Sequence, residues 1–74
     1  PALRERREDI LPLAYALLAE AALRMKRPIF ALAPGVAAQL LGYPWPGNVR
    51  ELENAMERAV ALARSERVEL EDLP

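Results

Sequence analysis

Cysteine and histidine are both absent from this 74-residue chain. Without them the chain cannot supply a thiol nucleophile, the usual ligands of a zinc site or the commonest general base. Its only hydroxyl groups belong to Ser65, Tyr15 and Tyr43, from which a Ser-His-acid triad cannot be assembled. We therefore predict that the chain holds no catalytic residue and no metal site of its own.

Glycine and long apolar runs are also scarce. The 3 glycines are too scattered to form a phosphate-binding loop. The longest apolar run, from Ile10 to Ala19, stops at Glu20 and falls short of the roughly 20 residues that a membrane-spanning helix needs. The charged N-terminal residues lead into an amphipathic helix and not into a cleavable signal. These absences predict a cytoplasmic protein that does not contact a membrane.

An excess of positive charge is missing as well. The chain has 10 basic and 11 acidic residues, which disfavours stand-alone binding to a nucleic-acid backbone. Hydrophobic residues make up 53% of the chain but aromatic residues only 5%, so alanine and leucine carry the apolar content. Because these two residues favour helices, we predict an all-α fold. It would be a small bundle of three to four helices, forming one domain over residues 1–74.

Apolar residues recur at steps of three and four near the N-terminus and predict a helix over about residues 9–26. Asp9 is a suitable N-cap, Pro12 fits the first turn, and Pro28 ends the helix. The cations of the last turn are interpreted as favouring the negative end of this same helix. They are Arg24, Lys26 and Arg27. The stripe predicted to be buried consists of Ile10, Leu13, Ala14, Leu17, Leu18, Ala21 and Met25.

A second helix is predicted over about residues 34–42, with a weak start. Ala33 occupies the cap position, where it cannot satisfy a free backbone N–H, and Gly35 falls in the first turn. Gly42 closes this helix. We therefore expect its N-terminal end to depend on neighbouring segments.

The next segment contains Pro44 and Pro46, which are expected to force extended geometry on the residues before them. Asn48 then caps a third helix over about residues 48–64, and Glu51 can return a hydrogen bond to the backbone N–H of Asn48. Its predicted buried stripe consists of Val49, Leu52, Met56, Ala59, Val60 and Ala63. A short helical turn or docking strip is expected near residues 70–73.

The connector and the start of the third helix read Tyr43-Pro44-Trp45-Pro46-Gly47-Asn48-Val49-Arg50-Glu51-Leu52. With the flanking strings Leu3-Arg4-Glu5-Arg6 and Asp72-Leu73-Pro74, the chain resembles the C-terminal helical lid of the AAA+ ATPase domain of bacterial sigma-54-dependent transcriptional activators. One departure is the start of the second helix, where the family usually has Ser-Pro-Glu or Thr-Pro-Glu and this chain has Ala33-Pro34-Gly35. That departure concerns the rigidity of the second helix and not the central string.

The resemblance implies that Arg50 is the second sensor residue, which approaches the phosphates of a nucleotide held by another domain. Its side chain leans toward the helix N-terminus, where free N–H groups and the helix dipole also attract a phosphate. A planar guanidinium can bind phosphate oxygens and lose these contacts after hydrolysis. From periodicity alone, the alternative is a surface residue paired with Glu53 or Asn54 on its own helix.

Two further residues, Val49 and Ile10, match family positions near the adenosine part of the nucleotide, with core packing as the alternative for both. The residues predicted to support Arg50 structurally are Tyr43, Trp45, Pro46, Gly47, Asn48 and Glu51. The two aromatic residues among them are predicted to pack between the connector and the helical bundle and so to fix the connector in place. Stacking on nucleic-acid bases is the alternative for both.

The resemblance implies ATP with Mg²⁺ as the cofactor of the intact protein, bound by a AAA+ α/β core domain outside this chain. We expect none to be bound by the chain alone. It also implies contacts with neighbouring subunits in a ring, with sigma-54 RNA polymerase through the core, and with DNA only through a separate downstream domain. Isolated chains are expected to self-associate through the surface that a core would cover. Two other function classes stay open: a helix-turn-helix DNA-binding module and a plain helical interaction domain.

Overall fold

The computed structural model describes residues 6–45 and 48–73, which fold into a small helical bundle. In chain order the elements are α1 (Arg7–Met25), β1 (Ala31–Leu32), α2 (Val36–Gly42), α3 (Asn48–Leu62), β2 (Arg67–Val68) and a 3₁₀ turn (Leu70–Asp72). The predicted all-α class is confirmed, since the two strands are only two residues long each. None of the described helices is long and apolar enough to span a membrane.

The core lies mainly between α1 and α3, which make the most extensive contact between elements in the described chain. Its largest side chains include Leu18, Leu52 and Met56, each of which is at most 2% exposed. Burial of a side chain of this size stabilises the fold by roughly 1.5–3 kcal/mol. Small residues fill the remaining interface and let the helices approach closely. These buried alanines are Ala14, Ala21, Ala22, Ala33, Ala55, Ala59 and Ala63.

The first helix begins earlier than predicted. Arg6 occupies the N-cap position without a side-chain cap, so the prediction of Asp9 as the cap is wrong. Asp9 instead lies in the first turn, where its carboxylate pairs with Arg6 at 2.8 Å and favours the positive helix end. Pro12 is therefore the sixth helical residue and lies beyond the first turn, which removes the usual partner of the Glu8 carbonyl.

The end of α1 is a Schellman motif built on lysine. Lys26 adopts the left-handed conformation with φ 57°, and its N–H donates to the carbonyl of Leu23 at 3.2 Å. The N–H of Arg27 donates to the carbonyl of Ala22 at 2.9 Å, which completes the pair of bonds typical of this motif. Glycine is the usual residue at this position because it has no Cβ, so lysine is held there at a conformational cost.

Two of the three cations at the end of α1 also contact α3, which the sequence did not predict. Arg24 lies in the last turn of α1, as the interpretation of its favouring the negative helix end requires. Arg24 pairs with Glu57 of α3 at 2.5 Å. The Arg27 guanidinium donates to three carbonyls at the C-terminal end of α3, where helical carbonyls lack partners. These contacts fasten α1 to α3 at one end of the bundle.

The second helix starts two residues later than predicted, at Val36. Gly35 is its N-cap with φ 91° and is not part of the first turn. The N–H of Ala33, expected at the cap position, donates to the carbonyl of Val68 at 2.7 Å. The helix start thus rests on a tertiary contact, because the segment before it runs beside β2.

The strand pair itself was not predicted. Strands β1 and β2 are parallel, with Ala31 opposite Arg67 and Leu32 opposite Val68. The turn expected near residues 70–73 is present as the 3₁₀ turn, closed by a reciprocal cap between Glu69 and Asp72. This arrangement ties the C-terminal segment back to the loop between α1 and α2.

Candidate functional site

The N-terminal end of α3 carries the residue that the sequence singles out. Arg50 is the third residue of this 15-residue helix, and its side chain is exposed. In the described part of the chain it makes no hydrogen bond or ion pair, including with Glu53 or Asn54. Its guanidinium is therefore available to an outside ligand.

The segment before α3 bends sharply at Trp45. This residue has φ 49°, so the extended geometry expected before Pro46 is wrong at this position, whereas Tyr43 is extended as predicted. Tertiary packing outweighs the local preference: the indole is 4% exposed, and its Nε1 donates to the carbonyl of Leu40 at 2.8 Å. The N–H of Asn48 then donates to the Trp45 carbonyl at 2.9 Å, which joins the bend to the start of α3.

A side-chain hydrogen bond links the end of α2 to the first turn of α3. The Tyr43 hydroxyl donates to Oε2 of Glu51 at 3.0 Å. The Tyr43 ring meets the Trp45 ring edge to face, with centroids 4.7 Å apart and planes at 72°. The hydrogen bond to the Glu51 carboxylate and its negative charge raise the pKa of Tyr43 above the ordinary value.

The two residues assigned to the adenosine side occupy different environments. Ile10 is fully buried in the core and presents no surface to a ligand in this conformation. Val49 is 47% exposed, so its predicted place in the buried stripe of α3 is wrong. Pro46 and Gly47, both predicted to support Arg50, lie outside the described residues. The exposed helix end therefore presents Val49 and Arg50, but not Ile10.

Comparison with known families decides the class of domain. The family described as AAA+ ATPase lid domain matches residues 4–74 of this chain. The chain belongs to the AAA+ ATPase lid domain family.

Relatives of the lid are regulators of transcription by name. The lid is 47% identical over 74 residues to the transcriptional regulatory protein ZraR of Klebsiella oxytoca, covering 100% of the lid and 17% of that protein. It is 50% identical over 68 residues to the anaerobic nitric oxide reductase transcription regulator NorR of Enterobacter sp. (strain 638), covering 92% and 14%. It is 49% identical over 73 residues to the alginate biosynthesis transcriptional regulatory protein AlgB of Pseudomonas syringae pv. tomato, covering 99% and 16%. The lid thus spans less than a fifth of the length of these relatives.

The lid also has a groove that the sequence did not reveal. It lies between α2 and α3, has a volume of about 420 Å³, and is floored by Leu40, Trp45 and Ala55. Its lining also includes Gln39, Tyr43, Glu51, Asn54, Arg58 and Leu73. In the sequence, helical spacing indicates only that the lining residues of α3 share one face. The other wall of the groove comes from α2, and periodicity does not give the orientation of one helix relative to another.

Proposed function

We propose that the chain is the lid of a sigma-54-dependent transcriptional activator, in which Arg50 contacts the phosphates of ATP. The ATP and its Mg²⁺ are held by a AAA+ α/β core domain outside these residues. The observation that carries the proposal is the exposed Arg50 guanidinium, which has no partner in the described chain. Membership of the lid family and the names of the relatives support the same conclusion.

The electrostatics of α3 support a ligand at Arg50. A cation in the first turn of a helix meets the positive end of the dipole, which costs about 0.3–1 kcal/mol at an exposed site. The position of Arg50 therefore does not stabilise the isolated helix. A phosphate bound between the guanidinium and the free N–H groups of the first turn reverses the sign of this interaction.

Loss of the γ-phosphate after hydrolysis removes the Arg50 contact and lets the lid move. Because Arg24 and Arg27 fasten α1 to α3, the two helices move together. In the intact protein, a ring of such subunits in the cytoplasm uses this motion to remodel sigma-54 RNA polymerase through the core, and a separate downstream domain binds DNA. Val49 lies at the adenosine side of the nucleotide in this proposal.

The test is Arg50→Ala in the longer protein that contains this chain. We expect ATP hydrolysis to fall at least about tenfold, which corresponds to 1.4 kcal/mol, the scale of one charge-assisted contact. Arg50→Lys restores the activity only in part, because an ammonium lacks the planar fork. Arg64→Ala, at another exposed arginine, serves as the matched control and leaves hydrolysis unchanged.

Two controls separate this proposal from its alternatives. In the 74-residue chain, Arg50→Ala is expected to leave thermal stability unchanged or slightly raised, so a loss of hydrolysis cannot be attributed to unfolding. Unchanged hydrolysis in the Arg50→Ala variant would identify a plain interaction domain instead. A salt-dependent shift of DNA by the 74-residue chain would favour the helix-turn-helix alternative.

A further inference from the structure

The outer face of α1 carries an apolar strip that no other element of the described chain covers. Its members are all exposed and recur at helical spacing: Pro12, Tyr15, Ala16, Ala19 and Leu23. The Leu23 side chain is 81% exposed and that of Tyr15 is 45% exposed. The opposite face of the same helix forms part of the core. Because a helix that is apolar on both faces is typically buried on both, the outer strip is a candidate contact surface.

Two residues of opposite charge lie at the ends of this strip. Glu8 is in the first turn of α1, and Lys26 is the C-cap. Both are exposed, and neither side chain makes a hydrogen bond or ion pair within residues 6–45 and 48–73. Because Pro12 has no N–H, the Glu8 carbonyl also lacks its usual helical donor. One end of the strip therefore offers acceptors and the other end offers a cation.

The central row of the strip has the same spacing in both directions. From Pro12 to Leu23, successive positions are four, three and four residues apart, with Ala16 and Ala19 in the middle. A second copy that runs antiparallel therefore places Leu23 over Pro12 at both ends and Ala19 over Ala16 between them. Small side chains at the centre let the two helix axes approach to about 8–10 Å. A two-fold contact between identical chains requires this kind of self-complementarity.

The two terminal charges select the antiparallel orientation. In a parallel pair, Glu8 would face Glu8 and Lys26 would face Lys26, and both pairs repel. In an antiparallel pair, each Glu8 meets the Lys26 of the other copy, whose ammonium can also donate to the Glu8 carbonyl. We propose that the strip binds the same strip of a second copy of this chain in the antiparallel orientation.

This contact is separate from Arg50 and from the ring of subunits proposed above. A two-fold contact uses the same surface on both copies and closes after two chains, whereas a ring is built from two different surfaces on each subunit. A single helix face is smaller than the roughly 1,200–2,000 Å² that stable complexes bury in total. We therefore expect the 74-residue chain to dimerise with a Kd on the order of 0.1–1 mM.

Sedimentation equilibrium of the 74-residue chain between about 0.02 and 2 mM measures this dimerisation. Leu23→Gln is expected to raise the Kd at least about tenfold, because each dimer then loses two buried leucine side chains. Leu62→Gln is the matched control, since Leu62 is 48% exposed but lies on α3, and it leaves the Kd unchanged. Circular dichroism checks that both variants keep the helical fold.

Charge reversal tests the pairing of the two ends. Glu8→Lys and Lys26→Glu are each expected to raise the Kd at least about threefold, because each dimer then contains two like-charged pairs. The double variant restores the original Kd, since it exchanges the two charges and keeps the net charge. A double variant no better than the single ones would contradict the pairing.

Disulfide formation tests the orientation directly. The chain has no cysteine, so an Ala16→Cys chain can be mixed with an Ala19→Cys chain under mild oxidation. We expect most disulfides to join the two different variants, whereas a parallel pair would join identical variants. An Ala61→Cys chain, with its exposed cysteine on α3, is the control that does not cross-link.

The same pair of variants, in a cysteine-free form of the longer protein, identifies the occupant of the strip. Formation of the disulfide there supports a second copy. Its absence would overturn the proposal, because the rest of the same polypeptide would then cover the strip. A 74-residue chain that stays monomeric to 2 mM, or a Kd unaffected by Leu23→Gln, would also overturn it.

Discussion

Replacement of Arg27 by alanine is expected to lower the free energy of unfolding of the 74-residue chain by about 2–3 kcal/mol. Its guanidinium donates to the carbonyls of Val60 and Ala63 at 2.6 Å each, and to that of Ala61 at 3.0 Å. The first two bonds are partly buried and contribute roughly 1 kcal/mol each, while water replaces much of the exposed third. The attraction of the cation to the negative end of α3 adds about 0.3–1 kcal/mol.

This loss is large for so small a domain. A domain of this length is stable by about 4–11 kcal/mol in total, so the Arg27→Ala substitution removes roughly a fifth to three quarters of it. The corresponding fall in Tm is about 10–20 °C. Urea unfolding followed by far-ultraviolet circular dichroism measures the change directly, and the slope of the transition should stay constant.

Arg24→Ala is the matched control, because Arg24 also joins α1 to α3 but lies in an exposed ion pair. Its loss should cost less than about 1 kcal/mol. The loss of unfolding free energy in Arg27→Lys should lie between those of Arg27→Ala and Arg24→Ala. Lysine keeps the positive charge, but its ammonium group cannot reproduce the planar guanidinium that binds three carbonyls. If Arg27→Ala costs no more than Arg24→Ala, the claim that this guanidinium caps α3 is refuted.

Three further predictions concern separate parts of the fold. Lys26→Gly should stabilise the chain by about 0.5–1 kcal/mol in urea unfolding, since glycine adopts the left-handed conformation without strain, whereas Lys26→Ala should give no gain. Asp72→Ala should cost about 1–2 kcal/mol in the same assay, because the N–H of Glu69 loses its cap; an unchanged midpoint would contradict this. The raised pKa of Tyr43 means that its hydrogen bond stabilises the fold below the ordinary tyrosine pKa of about 10 and is lost as pH rises through the folded-state pKa. Tyrosinate absorbance should show this pKa falling in Glu51→Gln, and no fall would count against the bond.

Much of the helical framework follows from local sequence. The steps of three and four that predict the first and third helices correspond to α1 and α3, whose buried residues include Ala14, Leu18, Leu52 and Met56. The all-α fold class was predictable from composition, because alanine and leucine dominate the apolar content and favour helices. Periodicity gives a helix and its face, but not the residues that another helix brings to it.

The parts that the sequence did not reveal depend on distant contacts. Arg27 lies 33 to 36 positions before the carbonyls that it binds, so no local pattern connects them. The two-residue strands are likewise too short for an alternating pattern to be recognised. Because proline is frequent as a first helical residue, the sequence predicts that Pro34 and Gly35 lie inside the second helix, whereas the positive φ of Gly35 marks it as the N-cap.

The candidate site likewise combines features that local sequence predicts with features that depend on tertiary contacts. The exposure of Arg50 agrees with its predicted position off the buried stripe of the third helix. The left-handed bend at Trp45 opposes the local preference before a proline and exists because the buried indole binds the Leu40 carbonyl. Val49, four positions after the buried bend at Trp45, is turned out of the core.

The hydrogen bonds of Arg27 join the C-terminal end of α3 to the end of α1, so the two helices tilt together when Arg50 is displaced at the other end of α3. At 1.5 Å per residue, Arg50 lies about 16 Å along the axis from Ala61, so a 1 Å displacement of Arg50 tilts the helix by only about 3°. A tilt that small leaves the alanine-lined contact with α1 intact. The bend at Trp45 holds the other end of α3, because its buried indole donates to the Leu40 carbonyl and its own carbonyl accepts from the N–H of Asn48.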